Sequence, residues 1–146
     1  MEDYPLLIQA LEESGIITHS ETELYLLVGH GTSHIGNLAY LALEDWLKHS
    51  GYSNVLVGTI GGYPTLEMVL KQLNQKGCSN VILIPTLLVA GKHVQQDIAG
   101  EKPDSWKSVL EQNGYSVTVR LQGLGAFPAI QRLYLAHLQK IVADIS

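Results

Sequence analysis

Four short apolar runs, each followed by a turn and then by a segment with helical spacing, most constrain how this chain can fold. The runs cover residues 24–28, 55–60, 81–84 and 117–121. Because such runs alternate with helical segments over short connections, we expect parallel strands covered by helices on both faces. The sequence therefore predicts an α/β fold, a three-layer αβα sandwich with a four-stranded parallel sheet.

Helical spacing of apolar residues predicts five helices, over residues 5–14, 33–49, 64–76, 104–112 and 128–143. We expect Thr32 or Ser33 to cap the second helix, and Pro64 to be the first residue of the third. The expected buried positions of the first, second and last helices are Leu6, Leu7, Ala10 and Leu11; Ile35, Leu38, Ala39, Ala42 and Trp46; and Ile130, Leu133, Tyr134, Leu138 and Ile141.

Length and composition narrow the class of protein. The 146 residues are 46% hydrophobic and 16% charged, which is typical of a single globular domain spanning residues 1–146. The net charge of -5 argues against a nucleic-acid partner, because phosphate contacts need a basic surface. No apolar run reaches the ~18 residues of a membrane span, and no signal peptide is evident, so we expect a cytoplasmic protein without a membrane partner. A single cysteine, Cys78, excludes an internal disulfide.

Two histidines follow the ends of two predicted strands. His30 lies in the sequence Gly29-His30-Gly31 directly after the first strand, and His93 follows the third strand and the apolar loop 87–90. Open α/β sheets bind their ligands at the carboxyl ends of the strands. The two imidazoles could therefore converge in a metal or proton-transfer site, although His30 could equally be a turn residue bonded only to backbone, and the signal at His93 alone is weaker.

The remaining histidines favour structural interpretations. We expect His34 to be exposed and His49 to stabilise the end of its helix. We expect His137 to lie within or beside the core, and we assign no role to His19.

The loop sequences together resemble the anaerobic cobaltochelatase family, which inserts cobalt into sirohydrochlorin and belongs to the class II chelatases. The strings that carry the resemblance are VGHGTSH at 28–34, GTIGGYPT at 58–65, LLVAGKH at 87–93, DSWK at 104–107 and GLG at 123–125. Members of this family have two similar flavodoxin-like halves around a cleft. The resemblance implies that this chain corresponds to the C-terminal half, with a homodimer or a missing N-terminal half completing it.

The resemblance also implies roles for individual residues. His30 and His93 are expected to be the metal-contacting and catalytic residues, with Co²⁺ as the substrate metal and no organic cofactor. A neutral imidazole can ligate cobalt, and a second can accept pyrrole protons. The residues expected to bind the tetrapyrrole are Thr32, Ser33, Tyr63, Leu88, Val89 and Lys92.

Three positions depart from the family pattern, each by loss of an acidic residue. Gly61 stands before Gly62-Tyr63-Pro64, Lys92 stands before His93, and Ala126 and Phe127 follow the Gly-Leu-Gly loop. A cation would bind less well at such a site, whereas an anionic tetrapyrrole could bind better. Three functions therefore stay open: a chelatase domain with weak activity, a non-catalytic tetrapyrrole- or metal-binding module, and an unrelated flavodoxin-like cofactor binder.

Overall fold

The computed structural model describes residues 3–89 and 91–145, except for the side chains of His93 and Val94. The helices are α1 (Asp3–Glu13), α2 (Leu38–His49), α3 (Leu66–Lys76), α4 (Lys92–Ala99), α5 (Trp106–Gln112) and α6 (Pro128–Ile145), with 3-10 turns at Ile35–Asn37 and Leu124–Ala126. The strands are β1 (Glu23–Gly29), β2 (Val55–Thr59), β3 (Asn80–Pro85) and β4 (Ser116–Val119). In this part of the chain, no helix combines the length and apolar character that a membrane span requires.

The four strands form one parallel sheet in the order β2-β1-β3-β4. In the centre of the sheet, Leu26 of β1 lies opposite Leu56 of β2 and Leu83 of β3. The predicted four-stranded parallel sheet is confirmed. The strand order reverses between β1 and β3, because β2 follows β1 on one side and β3 adds on the other. In open α/β sheets, ligands bind beside such a reversal.

Helices cover both faces of the sheet, as the predicted three layers require. Alternate residues of β1 point to opposite faces, so that Tyr25 and Leu27 pack with α1, α2 and α6, whereas Leu26 and Val28 pack with α3, α4 and α5. Every residue of β2 and the last five of β3 are buried. Burial on both faces is the reason that these strands appear in the sequence as continuous apolar runs.

The predicted buried face of α2 is wrong. Its buried residues are Leu43, Glu44 and Leu47, whereas Ile35 is 82% exposed and Leu38 is 56% exposed. The spacing of the apolar residues predicted the wrong buried face because the face that is buried includes the carboxylate of Glu44. The start of α2 also differs: a 3-10 turn comes first, and neither Thr32 nor Ser33 caps the helix.

Other differences concern helix ends and one helix that was not predicted. Helix α3 begins after Thr65, whose side chain accepts a hydrogen bond from the Met68 amide, so Pro64 precedes the helix. Helix α4 was not predicted because, among its described side chains, only that of Ile98 is buried, which leaves no apolar period. In α1, Leu6 is 49% exposed, contrary to expectation. In α6, the predicted stripe is buried at Ile130 and becomes exposed towards the C-terminal end.

Candidate functional site

The loops that follow β1, β2 and β3 lie side by side at the carboxyl edge of the sheet. The Thr86 amide after β3 donates to the carbonyl of Val28 at 2.8 Å, and the Ile60 amide after β2 donates to the carbonyl of Gly29 at 3.0 Å. These backbone hydrogen bonds extend the pairing of the strands into the first residues of the loops that follow them. They place the residue after β1, His30, between the two neighbouring loops.

The His30 side chain is exposed and held in one tautomer. Its Nδ1 lies 3.1 Å from the carbonyl oxygen of Gly31. Because a carbonyl oxygen can only accept, Nδ1 carries the proton, and in the neutral ring Nε2 keeps its lone pair. An imidazole oriented through one nitrogen is the usual arrangement for a histidine that ligates a metal through the other.

The His30 loop interlocks with the loop after β2. Gly31 has a φ of 76°, and a Cβ there would lie 2.1 Å from the carbonyl oxygen of Gly61. Only glycine permits this close approach. The Gly61 amide donates to the carbonyl oxygen of His30 at 2.8 Å. The position of His30 is therefore coupled to that of Gly61.

Gly61 itself has room for a side chain. Its φ is not positive, and a Cβ there would lie 3.4 Å from the His30 carbonyl oxygen, an ordinary contact distance. The neighbouring Gly62 does not have this freedom, because its φ is 107° and a Cβ would lie 2.1 Å from the Asn37 amide nitrogen. The backbone therefore admits a larger residue at Gly61 beside the His30 loop.

Asn37 braces both loops and was missed by the sequence analysis. Its side chain is buried, its Oδ1 accepts from the Thr32 amide at 2.7 Å, and its Nδ2 is 3.5 Å from the Gly61 carbonyl oxygen. A single asparagine at the start of a helical segment is normally read as a cap or a turn residue. No local signal in the sequence distinguishes this bracing role.

The expected substrate-binding residues fall into two groups. Thr32, Ser33 and Tyr63 line a shallow hollow of about 390 Å³ together with Ile35 and Leu38. Two further residues, Leu88 and Val89, line a second open hollow, of about 480 Å³, beside Leu121 and Gly123. Each hollow is lined mostly by apolar surface. The structure thus brings the residues together within each group, and no described contact links the two groups.

The apolar lip formed by Leu88 and Val89 rests on the loop after β4. A Cβ on Gly123 would lie 2.6 Å from the carbonyl oxygen of Leu88, and the Gly125 amide donates to that oxygen at 3.1 Å. This support leaves the side chains outside, with Leu88 49% and Val89 81% exposed. The glycines of the Gly-Leu-Gly sequence therefore allow the lip to be presented at the surface.

The two remaining predicted residues begin α4. Lys92 is its first residue and is exposed, and Gly91 is its N-cap. His93 is the next residue of the helix, but its side chain lies outside the described residues, as does Ala90 of the preceding loop. The adjacency of β1 and β3 puts the loop that leads to His93 beside the His30 loop. Among the described residues, no group of three His, Cys, Asp or Glu side chains could hold a metal ion.

The other four histidines have local contacts. His34 is exposed, as expected, and His49 bonds through Nδ1 to the Asp45 carbonyl oxygen within α2 at 2.8 Å. His137 is half-buried between α6 and α1, with Nε2 3.2 Å from an Asp3 carboxylate oxygen. His19 stacks on Tyr52. His34 lies in the same loop as His30, where its amide donates to the Thr32 hydroxyl at 3.2 Å, whereas the contacts given for the other three lie elsewhere in the fold.

A cavity of about 520 Å³ lies next to the site, between α1, α2 and α6. Its lining includes Tyr40, Thr86 and His137. The Tyr40 hydroxyl accepts from the Gly31 amide at 3.4 Å, and its ring leaves no room for a Cβ on Gly29. Tyr40 therefore forms the wall between this cavity and the His30 loop.

Comparison with known proteins identifies the family. The model of the cobalt chelatase (CbiK) family matches residues 1–143. A sirohydrochlorin cobaltochelatase of Salmonella typhimurium is 35% identical over 138 residues, which is 94% of this chain and 52% of the relative. The sirohydrochlorin cobaltochelatase CbiKC of Nitratidesulfovibrio vulgaris is 36% identical over 123 residues, 84% of this chain and 43% of the relative.

The chain thus spans about half the length of the curated relatives it matches. Among solved structures, the crystal structure of a cobalamin (vitamin B12) biosynthesis CbiX protein from Marinobacter aquaeolei superposes with a TM-score of 0.58 at 19% identity. The match covers 84% of this chain and 94% of that protein, and it shows a shared fold. With the family match extending over nearly all of its residues, the chain belongs to the cobalt chelatase (CbiK) family.

Proposed function

We propose that this chain inserts cobalt into sirohydrochlorin, weakly, as one half of a chelatase of anaerobic cobalamin biosynthesis. The observation that supports this proposal best is the His30 ring, exposed at the reversal of strand order and with Nδ1 occupied by the Gly31 carbonyl. Membership of the family favours the same chemistry and sets aside the unrelated flavodoxin-like binder.

Insertion of a divalent cation needs a metal ligand and a proton acceptor. The macrocycle exchanges two pyrrole protons for Co²⁺, and the cation loses water as the ring nitrogens replace it. In the proposed mechanism, the Nε2 lone pair of His30 ligates the incoming cobalt, and His93 accepts the two pyrrole protons in turn, passing each to solvent. Both tasks need a neutral imidazole near neutral pH.

The macrocycle itself would lie over the apolar lip. Leu88 and Val89 offer an exposed apolar surface to its flat face, and Tyr63, 55% exposed, offers an aromatic ring from the loop after β2. Thr32, Ser33 and Lys92 would meet the peripheral carboxylates, with the N-terminus of α4 adding a favourable dipole. The loss of three acidic residues leaves a site that suits an anionic macrocycle better than a cation.

A second half is part of the proposal. The chain spans about half the length of its curated relatives, and we propose that a second copy of the chain, or an N-terminal half, supplies the other wall of the cleft. The His30 and His93 loops would then lie at or near the contact between the copies. The cytoplasmic location and the absence of an organic cofactor stay predictions from the sequence.

The second candidate function is a module that holds a tetrapyrrole or metal without inserting it. Gly61 is the observation that favours it, because a family member is expected to have a carboxylate there and this chain has none. Without that charge, the dication has fewer ligands at the site.

The insertion reaction separates the two functions. Protein, Co²⁺ and sirohydrochlorin are mixed, and the absorbance change of the macrocycle on metal entry is followed. The proposal expects a faster change than in the protein-free mixture, and we expect His30→Ala to remove that gain. Unaccelerated insertion by a protein that binds the macrocycle would favour the holding module. Failure to bind either ligand would contradict both functions.

A further inference from the structure

The last two-thirds of α6, residues 134–145, present an apolar surface to solvent. Six large apolar side chains of this segment are each more than half exposed. They are Tyr134, Leu135, Leu138, Ile141, Val142 and Ile145. Single exposed apolar residues are ordinary, but a contiguous group of this size marks an interaction surface.

The spacing of these residues is that of a helix-pairing seam. Leu135, Leu138, Val142 and Ile145 follow one another at intervals of three, four and three residues, the a and d positions of two heptads. Such a seam is completed by a second helix with the same period.

Contacts between α1 and α6 show how far along α6 the helix α1 extends. Arg132 of α6 pairs with Glu13, and His137 lies 3.2 Å from Asp3, the first residue of α1. Beyond His137, α6 continues for eight residues, or about 12 Å. This extension carries most of the seam and lies past the end of the helix that covers the first half.

We propose that a second copy of this chain covers the seam, so that two protomers pair through their α6 helices. A two-fold pair presents the same surface from both sides, and a heptad seam is complementary to itself. The charged residues of the extension, Lys140 and Asp144, fall at outer heptad positions, so no like charges meet at the contact. Pairing would bury these six exposed side chains in both copies and remove their apolar surface from water.

This pairing specifies the surface for the homodimer of the proposed function, but it does not depend on the cobalt chemistry. Tyr134 and His137 line the same cavity as Thr86, which follows β3, so the exposed half of α6 begins beside the carboxyl edge of the sheet. The proposed contact therefore begins near the carboxyl edge that carries the His30 loop.

Sedimentation velocity at micromolar protein concentration tests the proposal. The unmodified protein should sediment as a dimer, and Leu138→Glu should weaken dimerisation at least about tenfold, since it places two charges in the seam. The matched control is Leu6→Glu, an exposed leucine on α1 outside the seam, which should stay dimeric. Leu88→Asp, on the apolar lip, should have a smaller effect than Leu138→Glu.

A milder variant guards against loss of folding. The double substitution Leu138→Ala and Val142→Ala keeps a helix-forming sequence, so circular dichroism should show unchanged helix content while the dimer weakens. A strictly monomeric unmodified protein would overturn the proposal. So would a dimer that Leu88→Asp dissociates but Leu138→Glu does not, or one that Leu6→Glu weakens equally.

Discussion

At the scale of single residues, the site is governed by the contact between the His30 and Gly61 loops. The Gly31 carbonyl fixes which nitrogen of His30 carries the proton, and the glycine at 31 lets the loop after β2 approach. The Asn37 side chain contacts both loops, through the Thr32 amide and the Gly61 carbonyl oxygen. Under the proposed function, a change at any of these positions would displace His30, the proposed metal ligand.

Replacement of His30 by alanine should weaken Co²⁺ binding by at least about tenfold, because it removes a ligand that is already oriented. Isothermal titration calorimetry measures the effect, with His93→Ala expected to act in the same direction. His49→Ala, an exposed histidine of α2, is the control and should leave binding unchanged. Equal losses from all three variants would contradict the assignment. Binding should also weaken on acidification, because protons compete with the metal for the lone pair of an imidazole ligand.

Replacement of Gly61 by glutamate should raise cobalt affinity several-fold. The backbone accepts a side chain there, and a carboxylate beside the His30 loop would stabilise the dication. Gly61→Gln is the matched control, since it has the same shape without the charge and should give no gain. An unchanged affinity in the glutamate variant would mean that position 61 does not face the metal.

At the scale of elements, Glu44 explains how α2 is seated on the sheet. Strand β2 is an edge strand, so one side of its backbone has no strand partner. The buried Glu44 carboxylate accepts from the Val57 amide at 2.9 Å and pairs with Lys48 within α2. The helix therefore turns its carboxylate inwards and leaves Leu38, together with Ile35 of the preceding 3-10 turn, exposed to solvent.

Replacement of Glu44 by alanine should lower the free energy of unfolding by about 1–3 kcal/mol, because it leaves the Val57 amide buried without an acceptor. Urea denaturation followed by circular dichroism measures the loss. Glu44→Gln should recover much of it, since the amide oxygen can still accept. Glu67→Ala, at the exposed ion pair with Lys71, should have no measurable effect. A loss as large at Glu67 would argue against the proposed role of Glu44.

At the scale of the whole molecule, the proposed function and the proposed pairing together link metal binding to dimer formation. In the proposed function, the carboxyl edge of one protomer forms one wall of the cleft. If a second copy completes the site, cobalt affinity per chain should rise with protein concentration as the dimer forms. Titrations at concentrations below and above the dimerisation midpoint should show this rise, whereas affinity that is independent of concentration would place the whole site within one protomer.

The sequence by itself determined the class of fold, the order of the strands along the chain and the position of His30. Each depends on local chemistry: strands buried on both faces appear as apolar runs, and Gly-His-Gly after such a run requires a turn at the carboxyl edge. The resemblance to cobalt chelatases also followed from loop sequences alone. The convergence of His30 and His93 stays a prediction, since the His93 side chain lies outside the described residues.

Only the tertiary structure decided the buried face of α2, the existence of α4, the bracing role of Asn37 and the exposure of the second half of α6. In each case the deciding partner is distant in the chain: the Val57 amide for Glu44, the Gly61 loop for Asn37, and the end of α1 for α6. The spacing of apolar residues shows which face of a helix is apolar, but whether that face is buried depends on which elements pack against it. A polar side chain with a partner can therefore occupy the core while an apolar face stays open to solvent.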